Sequence, residues 1–195
     1  MRTEKKNEAL HYVENKKFNQ AIVEYKIKEA EAKRLGIDPP RISDYIGGCI
    51  YKIATKLSMK PCFINYSFRD EMIEDGIENV FLYFHNYDPN FQGGKTVGPN
   101  PFAYFTQIIY FAFLRRIGEE ERKRYMLYKN FLDVVGSNDL GVFVDGDNTP
   151  LVSRKMYDNI NAFMERFESK EEEKKKRRKQ VKQGLNKFYE DVNEQ

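Results

Sequence analysis

Apolar side chains recur every three to four residues along most of this chain, and that period commits the backbone to helix. Phe18, Ala21, Ile22 and Tyr25 form one such stripe, with Asn15 placed to cap it and Gly36 followed by Pro39-Pro40 to stop it. Ile42, Ile46, Cys49, Ile50, Ile53 and Leu57 form a second, ended by Pro61. Ser67, with Asp70 three residues on, reads as a capping box that opens a third helix with Ile73, Ile77, Val80, Phe81 and Phe84 inward. After the loop YDPNFQGGKTVGPN, Asn100 as N-cap and Pro101 at the first helical position start a fourth helix. That helix is expected to end near Arg115-Arg116 or Gly118, with a further helix from Glu119 to about Val135. Thr149-Pro150 opens a shorter one carrying Met156, Ile160, Phe163 and Phe167 on one side. Strand-period alternation is confined to Val142 and Val144, enough for a small hairpin and not for a sheet. The expected fold is therefore all-α, a compact helical domain with a charged C-terminal tail.

Three regions follow from the pattern. Residues 1–135 make the helical domain, 136–168 a turn-rich segment plus short helix, and 169–195 a basic linker with a final hydrophobic cluster. The tail run KEEEKKKRRKQVKQ has no apolar face, so it is either a flexible, solvated linker or a lone charged helix.

Several function classes are excluded at this point. The longest uncharged stretch, Thr96 to Leu114, contains Gly98, Pro99 and Pro101, and its apolar remainder from Phe102 is too short to span a bilayer. No membrane protein is expected. The N-terminus MRTEKKNEAL has no apolar h-region, so no secretory signal is read there. Cys49 and Cys62 with His11 and His85 supply neither a disulfide framework nor a zinc set, which points to a reducing cytoplasm and no cofactor or metal. The run GGKT at 93–96 lacks the first glycine of a phosphate-binding loop, because Pro89 occupies that position. Asp145-Gly146-Asp147-Asn148 fails as a calcium loop, because Pro150 and Met156 stand where glycine and a bidentate glutamate belong. With no base beside either cysteine, an enzyme is not expected.

Charge and aromatic residues are both segregated. Of 28 aromatics, 14 fall between Phe81 and Phe131, more than one helical core requires. Helix PFAYFTQIIYFAFLRR carries them around most of its circumference, which fits either a buried central helix or a surface on which single-stranded bases stack. Residues 61–90 hold one basic side chain, Arg69, against six acids, among them Glu71, Glu74, Asp75 and Glu78 on one helical face. Such a face suits a basic protein partner or water. Residues 100–135 hold six basic side chains, including Arg115 and Arg116, against four acids, and suit a nucleic-acid backbone.

The run RDEMIEDGIENVFLYFHNYDPN, a loop, and NPFAYFTQIIYFAFLRRI together resemble region two of bacterial RNA polymerase sigma factors. With YVENKKFNQAIVEYK at 12–26 and the hydrophobic ending GLNKFYEDV, the chain is more closely similar to the late-transcription sigma factors of T-even-type bacteriophages. The likeness covers about residues 10–135 and returns at the end of the tail. It implies a non-enzymatic sigma factor in the cytoplasm of the infected host, directing core RNA polymerase to TATA-like late promoters. The acidic helix, mapped onto Glu71, Glu74, Asp75 and Glu78, would dock on the clamp helices of the largest polymerase subunit. The next helix would hold non-template-strand bases through Phe102, Tyr104, Phe105, Gln107 and Tyr110, with Arg115 and Arg116 near phosphates. Leu185, Phe188 and Tyr189 would anchor the tail to the phage DNA sliding clamp, and a late co-activator is a further partner the family implies. The alternative is a polymerase-binding regulator, anti-sigma-like or an appropriation factor, that does not open promoters.

Overall fold

The computed structural model describes residues 12–91, 98–136 and 154–193. Helix α1 spans Asn15–Leu35, α2 Asp44–Ser58, α3 Arg69–Tyr83, α4 Pro101–Gly136 and α5 Arg154–Asn193, with a 3-10 turn at Phe84–Asn86. Among the described residues there is no strand, and the fold is all-α. The regions read as a hairpin at 142–144, the GGKT run, the Asp145–Asn148 turn and the Thr149-Pro150 helix start lie outside the described residues. The chain divides into two compact units, Met1–Ile117 and Gly118–Gln195.

The first unit buries the expected stripes. Phe18 and Ile22 of α1, Ile46, Ile50 and Ile53 of α2, and Phe105, Ile109 and Phe113 of α4 are all fully buried in one core. Helix α1 ends where Gly36 takes a left-handed φ of 69°, with the Gly36 and Ile37 N–H groups donating to Lys33 and Ala32 carbonyls. Helix α2 is capped by Ser43, whose hydroxyl accepts from the Ile46 N–H at 3.4 Å.

Three local expectations are corrected. Asn15 does not cap its own helix, whose N-cap is Glu14. Its side chain instead accepts from the Phe102 N–H at 3.2 Å and donates to Asn100 at 3.0 Å, while Asn100 caps α4 by accepting from the Ala103 N–H at 2.9 Å. The capping box of Ser67 and Asp70 does not form, because α3 begins at Arg69 with Phe68 as N-cap and the three-residue register is lost. Val80 and Phe84 are buried as expected, but the inner face of α3 is turned toward Met72, Gly76 and Asn79, leaving Ile73 and Ile77 half-buried and Phe81 exposed.

Helix α4 does not stop at Gly118. One glycine inside a helix costs about 1 kcal/mol, and with no proline beside it the helix continues to Gly136.

Within the second unit, the later part of α4 packs on the start of α5 through aromatic rings. Tyr125 stacks on Phe167 with centroids 4.6 Å apart, and Tyr128 meets Phe163 edge-on at 5.4 Å. The Tyr125 hydroxyl donates to Glu168 at 2.7 Å, and Ile160 is buried. Met156, expected on the same inner side, is exposed. The charged run from Lys170 is helical, continuing α5.

Candidate functional site

The predicted residues of the first unit lie on two helices that touch at a glycine. A Cβ built on Gly76 of α3 would lie 2.9 Å from Ile109 Cγ2 and 3.0 Å from Phe113 Cε1 of α4, so a bare backbone is what permits this approach. Asn79, buried beside it, donates its amide to the Asp75 carbonyl at 2.7 Å.

With the Gly76 side facing α4, the opposite side of α3 faces solvent. Glu71, Glu74 and Glu78 are exposed there, and the row runs on into exposed Phe81 and Leu82 at the helix end. Asp75 is placed differently. It is half-buried at the edge of the row, accepting from Arg116 of α4 at 3.3 Å with side-chain exposures of 26% and 22%. One predicted polymerase contact and one predicted phosphate contact are thus partners of each other.

The aromatic helix resolves into a core side and a solvent side. Phe105 is fully buried, stacked on Phe84 at 5.6 Å and packed against Phe18 and Tyr87. Phe105 is a core residue, which corrects its assignment to base stacking, since no base reaches a ring enclosed on every side. Phe102 is half-buried, edge-on to Tyr12 at 5.7 Å. Tyr104 is half-buried, and its hydroxyl donates to the Tyr83 carbonyl at 3.4 Å; burial pushes this phenol upward. With Tyr87, Asp88, Phe91 and Pro99 it lines an open cavity of about 380 Å³.

Gln107, Tyr110 and Arg115 are exposed along one side of α4. Phe111 and Leu114, at 57% and 43% exposure, complete that side. The two were not singled out from the sequence. The signal was present, because Gln107, Tyr110, Phe111 and Leu114 share the i, i+3, i+4, i+7 spacing that excludes the buried Phe105, Ile109 and Phe113. Tyr110 is braced edge-on against buried Phe63 at 5.7 Å, which fixes its ring at the surface.

Leu185, Phe188 and Tyr189 fall on the backbone of α5, and their side chains lie outside the described residues. Cys49 is buried, with its thiol pushed up by that burial, so it is a poor nucleophile. Among the described residues, no group of His, Cys, Asp or Glu is arranged to hold a metal ion. No helix there is long and apolar enough to cross a membrane.

No protein-family model matches the chain, and no curated protein matches it.

Proposed function

We propose that this chain is a sigma-like subunit that directs bacterial RNA polymerase to TATA-like late promoters and helps open them, without enzymatic activity of its own. One observation carries the reading. Two chemically opposed surfaces, the acidic row of α3 and the aromatic-basic side of α4, sit on helices joined at Gly76. The acidic row suits a cationic protein helix, the clamp helices of the largest polymerase subunit in the related family. Its exposed Phe81 and Leu82 supply the apolar anchor that a charge-only contact lacks.

On α4, Gln107, Tyr110 and Phe111 offer amide and ring faces to unpaired non-template bases, with Arg115 beside them for phosphates. Each stacked base contributes about 1–3 kcal/mol, comparable to the few kcal/mol needed to extrude a base, so opening requires no nucleotide hydrolysis. Tyr104 lines a cavity within the about 300–1,000 Å³ range of small-ligand pockets, and one extruded base fits that scale. Leu185, Phe188 and Tyr189 complete the reading as anchors to a DNA sliding clamp. A late co-activator would join the same assembly, in the cytoplasm of the infected host.

A second reading has an observation in its favour. With Phe105 in the core and Arg116 paired to Asp75, fewer groups face DNA than the sequence offered. A polymerase-binding regulator without promoter-opening activity needs only the acidic row.

Run-off transcription with core polymerase on a supercoiled template bearing a TATA-like late promoter separates the two. Initiation from that site only when this protein is present supports the sigma reading. Core binding without specific initiation favours the regulator. Glu74→Lys with Glu78→Lys is expected to abolish core binding, and retained affinity would remove the docking face from the proposal. Deleting residues 184–195 is expected to spare basal initiation and remove clamp-dependent activation.

A further inference from the structure

Helix α5 carries six consecutive basic residues, Lys174, Lys175, Lys176, Arg177, Arg178 and Lys179, all exposed. At a rise of 1.5 Å per residue they place six positive charges in about 9 Å. Duplex DNA carries one negative charge per about 1.7 Å of its axis, a comparable density when the charges are counted around the whole helix. At 100° per residue, Lys174 and Arg178 lie one turn apart, as do Lys175 and Lys179, and these four share one half of the helix.

The second unit adds a cation from its other helix. Glu171 receives a hydrogen bond from Lys174 at 2.8 Å, and that bond, with the charges of Lys174, Arg122 and Arg178, holds its carboxyl below the ordinary range. The charge of Arg122 on α4 thus reaches the same carboxylate as those of Lys174 and Arg178.

We propose that Lys174, Lys175, Arg178 and Lys179 of α5 form a sequence-independent binding surface for the phosphate backbone of duplex DNA. The surface lacks what other anionic partners require. From Lys170 to Gln180 there is no apolar side chain, whereas a helix that lies on a membrane buries an apolar face. A stable protein partner needs aromatic or aliphatic anchors, and this stretch has none. Regularly spaced phosphates ask only for charge. The proposal does not depend on the sigma reading, because it concerns the second unit alone and involves no polymerase.

The test is anisotropy of a labelled short duplex without a TATA-like element, titrated with the full chain between about 50 and 200 mM salt. Replacing Lys174, Lys175, Arg178 and Lys179 by glutamine is expected to lower the slope of log affinity against log salt by about three to four. Binding at the low-salt end should weaken by about tenfold or more. Lys28→Gln, Lys33→Gln, Lys52→Gln and Lys56→Gln in one chain remove the same charge from the first unit and should leave the slope within about one of native. Circular dichroism checks that helicity is kept. Should the glutamine variant lose helix, Lys174→Arg, Lys175→Arg and Lys179→Arg, which keep charge and change chemistry, must retain native binding. An unchanged slope in the glutamine variant, or an equal fall in the first-unit control, overturns the proposal. So does equally tight binding of the native chain to phosphatidylserine vesicles with the same loss on substitution.

Discussion

Gly76→Ala tests the contact on which both first-unit surfaces depend. In an open helix interior the change stabilises by about 1 kcal/mol, because alanine loses less backbone freedom on folding. At Gly76 the new Cβ would sit 2.9 Å from Ile109 Cγ2, closer than carbon atoms tolerate, and 3.0 Å from Phe113 Cε1, a contact tight enough that the ring must shift. Both neighbours are fully buried and belong to the core, so neither can swing away into solvent. Overpacking of this kind costs about 1–3 kcal/mol, which exceeds the propensity gain, and a net loss of about 1 kcal/mol is expected. For a unit of this size that lowers Tm by about 3–5 °C. Gly48→Ala on α2 provides the contrast, because a Cβ there meets nothing within 4 Å. It should stabilise by about 0.5–1 kcal/mol. Thermal and urea unfolding followed by circular dichroism measure both. A Gly76→Ala chain as stable as native, or a Gly48→Ala chain that loses as much as Gly76→Ala, would refute the close-approach argument.

Phe105→Ala should cost about 3–5 kcal/mol of stability, whereas Tyr104→Ala should leave a folded chain that binds core polymerase and opens promoters poorly. Equal stability losses for the two would mean that Tyr104 is simply core. Burial, and then the charge of Asp88, hold the Tyr87 phenol above its ordinary value of 10.0, so the folded chain resists its ionisation. The unfolded chain ionises first, so this contribution is intact below about pH 10 and is lost as pH rises further. Tyr87→Phe should flatten that fall, at about 1 kcal/mol for the lost 2.7 Å hydrogen bond to Asn19, and an identical pH profile would contradict it. A double-mutant cycle with Asp75→Asn and Arg116→Gln should give a coupling of about 0.5–1 kcal/mol that shrinks in high salt. A coupling of zero at low salt would dismiss the pair.

What was legible in the sequence was periodic or local. The α2 stripe, the stop at Gly36 and the Asn100-Pro101 start depend on near neighbours, and they fold as their pattern dictates. What was not legible depended on distant partners. Asn15 has the chemistry of an N-cap and uses it on the first turn of another helix, accepting from the Phe102 N–H 87 residues away. The inner face of α3 could not be placed by hydrophobicity, because its closest contact is made by Gly76, which has no side chain to count. The same limit applied to the aromatic helix. Composition showed too many rings for one core, but only packing separates Phe105 from Phe111.

The Asp75–Arg116 pair changes what the two surfaces present to partners. At 26% and 22% exposure, solvent screens it enough that its coupling stays near 1 kcal/mol, a factor of about five in an equilibrium. That is too small to lock the chain in a closed state, since reversing a 1:99 population requires about 5.5 kcal/mol. The pair acts more locally. It removes one negative charge from the edge of the α3 row nearest α4 and one positive charge from the edge of α4 nearest α3. The acidic charge that remains is carried by Glu71, Glu74 and Glu78, on the side of α3 turned away from the Gly76 contact. Phosphates drawn to α4 therefore meet a neutral margin before they meet carboxylates. A cationic partner on α3 likewise meets no competing arginine at that margin. Two surfaces of opposite charge preference can then be used at once on adjacent helices, as the proposed binding of a polymerase and a promoter together requires.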